Sequence, residues 1–386
     1  MKKNLLHVVT NVSEGGLEKN VLTIISNLNS NNFNYYLAVL TNQENRFLYN
    51  EFLKLNVKIK QFDFDNRLFS YRSIPKNIVQ LFKFTSFIRK QRIDILHSHD
   101  FFPSFVSRIS AIICFLLFFY RVNKIYLTLN VVLFWLKPIH HSINRFLSIF
   151  TTKVICVSKS VYNHSLKHDR INKKKYVIIY NGVNINNFIP DDSLRSFYIK
   201  EFGFDEENYI IGNVGVVSVR KGQKYLINAF IKLKKYYPNI RLIIFGSKRE
   251  HELPIKNEIY STILSNDLEQ YIRIIEQRDV TKIYNMFDVF VMPSITEGLS
   301  LSAIEAMLMQ RICLFSDIGP FKELVTDGVN GFLFKNKDEK DLEEKLNFIL
   351  SNYATLDYIK QEASRSVKHK FDARKMAFQY EELYLS

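Results

Sequence analysis

The residues best suited to chemistry in this 386-residue chain lie in VFVMPSITEGLSLSAIEAM, residues 289–307. An apolar run that reads as a strand ends at Pro293-Ser294. Glu297-Gly298 then opens a loop, and Glu305 lies one turn into the following helix. A carboxylate can accept two hydrogen bonds from a vicinal diol, so this pair of glutamates suits sugar or ribose hydroxyls. The backbone amides of Gly298, Leu299 and Ser300 could meet a phosphate. Two structural roles compete with this reading. Ser302-x-x-Glu305 is also a helix capping box, and Glu297 could be a solvated loop acid.

Two further stretches place cations or glycines between a strand and a helix. Arg220-Lys221-Gly222 follows the apolar run IIGNVGVV and precedes QKYLINAFIKLKK. Cations beside a helix N-terminus suit a diphosphate, although a solvated surface pair fits the same pattern. Gly15-Gly16 follows the first apolar run and precedes a helix expected to start near Leu17–Glu18. Two glycines let a backbone approach a ligand closely, and a helix N-terminus favours an anion. An ordinary tight turn is the competing explanation.

These residues need elements to position them. Short β-rich runs alternate with longer helical ones. In the first half the expected strands are 5–9, 35–40, 57–62, 93–96, 124–129, 154–157 and 176–179. In the second half they are 209–215, 241–245, 271–275, 288–292, 312–315 and 331–334. Strands alternating with helices imply parallel sheets covered on both faces. Two such series of about 180 residues imply an α/β protein of two Rossmann-like domains, joined near the turn-rich NGVNINNFIPDD, residues 181–192. Ligands of such sheets bind at the carboxyl ends of the strands, so the expected site is a cleft between the two.

Composition narrows the class. Hydrophobic residues make up 47% and charged residues 24%, which excludes wholesale disorder. Three cysteines with no C-x-x-C pair cannot form a disulfide framework, so a reducing cytoplasm fits best. The N-terminus reads as a first strand and not as a signal peptide. Residues 1–190 hold 26 Lys/Arg against 9 Asp/Glu, a net +17, whereas residues 191–386 hold 27 against 29. The basic half also contains AIICFLLFFY, residues 111–120, flanked by Arg108 and Arg121. That stretch is about half a bilayer span. A core helix and an anionic membrane surface explain it equally well. No RNA- or DNA-binding motif accompanies the charge, so no nucleic-acid partner is expected.

The three signals, in this order and on strand-to-helix loops, resemble the GT-B glycosyltransferases, in particular family 4 of the retaining nucleotide-sugar glycosyltransferases. The resemblance covers nearly the whole chain. It rests on GG-x-E at Gly15–Glu18, NGV at Asn181–Val183 with Phe188, and KG at Lys221-Gly222. It rests also on the PS…EG…EA pattern from Asp288 to Ala306, with the E-x7-E spacing of Glu297 and Glu305, and on DGVNGFLF at 327–334. It implies an acceptor-binding domain over 1–185, a nucleotide-sugar domain over 186–370, and a C-terminal helix within 371–386 that crosses back to the first domain. Asn181 and Gly182 would form the hinge.

The resemblance also implies roles. Glu297 would hold the donor sugar's hydroxyls and Glu305 the ribose. Gly298, Leu299 and Ser300 would bind sugar and phosphate oxygens. Lys221, helped by Arg220, would neutralise the leaving diphosphate, with Gly15 and Gly16 meeting it or the acceptor. Gln277 and Arg278 would lie near the base. The expected reaction is transfer, with retention, from a nucleotide-diphosphate sugar to a glycan hydroxyl. A UDP-sugar is expected over a GDP-sugar, a lipid-linked surface polysaccharide as acceptor, and no cofactor or metal. The enzyme would sit peripherally on the inner face of the cell membrane.

Three positions depart from the family pattern. Val216 stands where an arginine is usual. Asn130 stands where T-x-H would place a histidine, leaving a hydrogen-bonding contact to the donor without a titratable group. Gln310-Arg311-Ile312 replaces a Gly-x-Pro. Val216 and Asn130 motivate the alternative of a catalytically silent GT-B subunit supporting an active partner.

Overall fold

The computed structural model describes residues 2–12, 15–41, 46–67, 73–132, 136–246, 252–276 and 280–386. The chain forms two compact units, one of residues 1–182 with 373–386 and one of residues 183–372. Each is a wholly parallel sheet with helices in the connections.

In the first unit the strands are β1 (Lys3–Val9), β2 (Phe33–Val39), β3 (Lys58–Gln61), β4 (Ile95–His99), β5 (Lys124–Leu129), β6 (Lys153–Cys156) and β7 (Tyr176–Ile178). Their order is β3-β2-β1-β4-β5-β6-β7. The helices are α1 (Gly16–Asn27), α2 (Arg46–Lys54), α3 (Ile74–Lys90), α4 (Phe101–Phe118), α5 (Pro138–Leu147) and α6 (Lys159–His168). The central strands are largely buried on both faces, as a sheet covered twice requires. The outer strand β3, KIKQ, is half exposed and carries lysines that blunt its free edge.

The largest departure from the sequence expectation is β4. It was expected to end at Leu96 but continues through His97, Ser98 and His99, all fully buried. His97 pairs in register with His7 of β1, and His99 with Thr128 of β5. Because side chains alternate, His7, His97, His99, Tyr126 and Thr128 share one face. That face is covered by the C-terminal helix, Ala373–Leu385, which packs on α1 and buries Met376, Ala377, Tyr380 and Tyr384 in the same core. The imidazoles are tied by hydrogen bonds. His7 Nδ1 lies 3.1 Å from His99 Nε2, while His97 joins the Tyr384 hydroxyl at 2.6 Å and Thr128 Oγ1 at 2.7 Å.

α4 divides residues 111–120 between the core and the surface. Among the described residues it is the one helix apolar and long enough to cross a membrane by composition, yet half of it is buried inside the unit. Ala111 and Cys114 join the core, and Arg108 is wholly buried, donating to Ser104 O and to Asn144 Oδ1. Beyond Cys114 the helix changes character. Phe115, Leu116 and Leu117 are exposed, and Phe119 caps the end at 92% exposure.

In the second unit the strands are β8 (Tyr209–Val214), β9 (Ile240–Phe245), β10 (Ile272–Ile275), β11 (Val289–Met292), β12 (Ile312–Ser316) and β13 (Phe332–Phe334), ordered β10-β9-β8-β11-β12-β13. The helices are α7 (Ser193–Glu201), α8 (Gln223–Leu233), α9 (Leu253–Leu264), α10 (Leu301–Leu308), α11 (Gly319–Lys322), α12 (Glu339–Ser351) and α13 (Asp357–Lys368); the C-terminal helix is α14. Strand order reverses between β8 and β11, so the loops after these two strands meet at the carboxyl edge where open α/β sheets bind ligands. Gln310, in the Gly-x-Pro position, adopts a left-handed φ of 55°. Arg311 beside it donates to the carbonyls of Asn285 and Phe287, which ties the end of α10 to the turn before β11.

Candidate active site

The loops after β8 and β11 bring Arg220, Lys221 and Glu297 into one cluster. Lys221 Nζ lies 2.7 Å from Glu297 Oε1, and the Arg220 guanidinium lies 3.1 Å from Oε2. Glu297 is 5% exposed, so it is not the solvated loop acid that its position in sequence allowed. Burial alone would raise its pKa, but the charges of Lys221 and Arg220 override this and hold it down at about 2. The carboxylate therefore stays charged, and each cation is held where a second anion could meet it.

Backbone contacts fix this geometry. Arg220 donates a further side-chain hydrogen bond to Thr296 O, and its own carbonyl accepts from Ile295 N at 2.8 Å. Ser218 Oγ accepts from Lys221 N, closing the short turn before α8. Gly222 is required twice over. Its φ is +66°, and a Cβ there would lie 2.1 Å from the carbonyl oxygen of Pro293. Gly222→Ala is therefore expected to push the Arg220-Lys221 turn off the β11 loop. Left-handed strain alone costs about 1–2 kcal/mol. A clear fall in melting temperature together with weaker nucleoside diphosphate binding is the expected result, and unchanged values of both would contradict it.

Glu305 sits on α10, whose N-cap is Ser300. The Ser300 hydroxyl accepts from Ala303 N, so the capping register excludes the Ser302–Glu305 box. Glu305 Oε2 instead accepts from the Tyr284 hydroxyl at 2.6 Å. Gly298, Leu299 and Ser300 form the buried approach to the α10 N-terminus. Val216, which stands where the family pattern has an arginine, accepts through its carbonyl from Gln223 Nε2.

Other candidates lie in the first unit. Gly15 is the extended N-cap of α1, and its neighbour Gly16 begins the helix, one to two residues before the expected start. A Cβ at Gly16 would meet nothing within 4 Å, so the packing of this unit does not demand glycine there. Asn130 follows β5, and its backbone N–H donates to Asp100 Oδ1 at 2.7 Å. Asp100, after β4, holds φ 64° and ψ −175°, a region sparsely used by residues with a side chain. Gln277 and Arg278 lie outside the described residues. Asp100 and Tyr284 were not singled out from sequence. Neither belongs to a recognisable spacing pattern, and a tyrosine in IYNMFDVF reads as core.

Among the described residues, His7, His97 and His99 form the one group with the donor types and proximity of a metal site, their donor atoms lying within 4.8 Å of one another. His97 is already engaged through both ring nitrogens, while His7 Nε2 and His99 Nδ1 lack a hydrogen-bond partner among the described residues; the set therefore keeps two open nitrogens rather than three and fits a neutral core network better than a metal centre.

The chain matches the family model described as Glycosyltransferase Family 4 over residues 14–187 and that described as Glycosyl transferases group 1 over residues 195–366. It is 22% identical over 325 residues to the UDP-Gal:alpha-D-GlcNAc-diphosphoundecaprenol alpha-1,3-galactosyltransferase of Escherichia coli, covering 81% of this chain and 80% of that one. It is 24% identical over 307 residues to the O-antigen biosynthesis glycosyltransferase WclY of Escherichia coli, covering 76% and 79%. Its fold superposes on that of Anabaena Alr3699/HepE, solved in complex with UDP and glucose, with a TM-score of 0.87 over the whole of both chains at 19% identity. Two family models in tandem, each over one Rossmann-like half, establish what the alternation of strands and the loop motifs had suggested: the chain belongs to the GT-B glycosyltransferases.

Proposed function

We propose that this glycosyltransferase moves a sugar, with retention, from a nucleotide-diphosphate donor to a hydroxyl of a lipid-linked surface glycan. The convergence of Lys221 and Arg220 on Glu297 carries this reading. In the reaction the bond from the anomeric carbon to the diphosphate oxygen breaks and its electron pair leaves with the diphosphate; the acceptor hydroxyl oxygen bonds the carbon, and its proton passes to the departing diphosphate. Positive charge that binds the departing diphosphate more tightly than the ground state lowers the barrier. Lys221 and Arg220 supply that charge from the chain itself. As the diphosphate engages them, Glu297 is released towards the sugar hydroxyls. Two relatives support this donor and acceptor class: a UDP-Gal:alpha-D-GlcNAc-diphosphoundecaprenol alpha-1,3-galactosyltransferase and an O-antigen biosynthesis glycosyltransferase. A thermal-shift screen of UDP- and GDP-sugars tests the reading. A donor at 100 times its dissociation constant adds about 2.7 kcal/mol of stability. A UDP-sugar is expected to give the shift, and no shift with any donor would contradict the reading.

We further infer that the first unit rests on an anionic membrane on the cytoplasmic side. Its net charge of +17 over residues 1–190 supports this. So do the exposed apolar side chains of α3 (Ile78, Val79, Phe82) and of the α4 end (Leu116, Leu117, Phe119). Vesicles rich in phosphatidylglycerol are expected to sediment the protein at low salt and to release it steeply as salt rises, since each cation contributes about 1 kcal/mol and is screened. Protein left in the supernatant at low salt would overturn the assignment.

A further inference from the structure

Tyr284 is completely buried, yet its hydroxyl reaches the half-buried Glu305 at 2.6 Å. Its ring is boxed by Phe188, Phe287 and Phe290 at centroid distances of 6.3, 5.7 and 5.6 Å. Phe287 in turn lies against Gly212 of β8, where a Cβ would fall 2.4 Å from the ring. The glycine lets Phe287 sit on the sheet, Phe287 helps to fix Tyr284, and Tyr284 grips one oxygen of Glu305. Burial and the nearby carboxylate push the phenol well above its ordinary pKa, so it stays a neutral donor. A carboxylate oxygen held by a fixed donor has lost most of its rotational freedom. The plane of the carboxylate is then fixed, which sets the direction from which it can accept a pair of hydroxyls.

We propose that Tyr284 is a positioning residue that sets the selectivity of this site for ribose over deoxyribose, by orienting Glu305 towards the vicinal diol of the nucleotide. The proposal rests on the nucleotide-sugar reading above, with Glu305 at the ribose. Tyr284→Phe keeps the ring and its packing and removes only the donor.

The test is calorimetric titration of the full chain with UDP and GDP, and with their 2′,3′-dideoxy analogues. Wild type is expected to prefer the ribonucleotide by about tenfold or more, the scale of a lost hydrogen bond to a charged group. Tyr284→Phe is expected to bind the ribonucleotide about tenfold more weakly and the dideoxy analogue as wild type does, so that the preference collapses. A purely structural role would weaken both nucleotides alike and leave the ratio intact, and that result overturns the proposal. Glu305→Gln supplies an independent reading if Tyr284→Phe does not fold. With the Tyr284 hydroxyl holding the amide oxygen, an NH2 donor stands where the diol would meet the second carboxylate oxygen, so the ratio should fall again, and an unchanged ratio overturns the proposal. If wild type binds neither ribonucleotide, both the nucleotide-sugar reading and this inference fall. If wild type binds and discriminates while the variants discriminate equally, only the inference falls.

Discussion

Glu297→Ala is expected to slow sugar transfer about 30- to 1,000-fold, equivalent to roughly 2–4 kcal/mol of transition-state stabilisation. The same change should not weaken nucleoside diphosphate binding, because it frees Lys221 and Arg220 from their internal partner. Stability should fall as well. From sequence alone Glu297 reads as a loop acid that packs little, but its burial against Lys221, itself 12% exposed, means that truncation strands a largely buried cation. Glu297→Gln keeps the volume and should unfold at a higher temperature than Glu297→Ala while remaining slow. Turnover, diphosphate affinity and melting temperature, measured on both variants, separate these effects. Wild-type turnover in either one would remove Glu297 from the site.

Acidification should destabilise the first unit. His7, His97 and His99 are neutral in the fold because burial opposes their charging. His7 is pushed down to about 3, and the other two lie well below their ordinary value. The groups packed on them are Tyr126, Tyr380, Tyr384 and Thr128; burial raises the three phenols, so all four stay neutral. The folded pKa values lie below the unfolded one, so the unfolded chain binds more protons once the pH drops below about 6.5. Stability is therefore flat above that point and lost as the pH falls towards 3. An imidazole that stays neutral in the fold costs about 1.4 kcal/mol per pH unit, so His7 alone costs on the order of 2 kcal/mol by pH 5, and His97 and His99 add to the loss in the same direction. Urea midpoints at pH 7.5 and 5.5 measure the effect. His7→Leu should flatten the slope by about a third, and pH-independent stability between 7 and 5 would contradict the account.

Most of the architecture was readable because parallel strands covered on both faces are continuous apolar runs, such as IRLIIF in β9 and VFVM in β11. β4 escaped at its end for the converse reason. HSH is polar in composition, and only its in-register partners His7 and Thr128 and the cover of α14 make it a core strand. The motif loops showed which residues carry chemistry, but not how they combine. Lys221 and Glu297 are 76 residues apart, and nothing local predicts their pairing. Gly222 stood out as a glycine after a lysine, whereas its necessity comes from the Pro293 carbonyl on another strand's loop. Tyr284 was hidden among aromatic residues whose spacing signals packing alone. The Ser302–Glu305 spacing was a false lead, because α10 takes its cap two residues earlier, at Ser300.

The central claim is that Arg220 and Lys221 form the diphosphate site of this glycosyltransferase. Its most direct test is calorimetric titration of UDP and GDP against wild type, Arg220→Ala and Lys221→Ala. A diphosphate brings about two negative charges to two cations within hydrogen-bond reach. Each alanine variant should therefore lose at least about tenfold in affinity for the nucleotide that wild type prefers, corresponding to about 1.4 kcal/mol. Unchanged affinity in both variants would contradict the assignment.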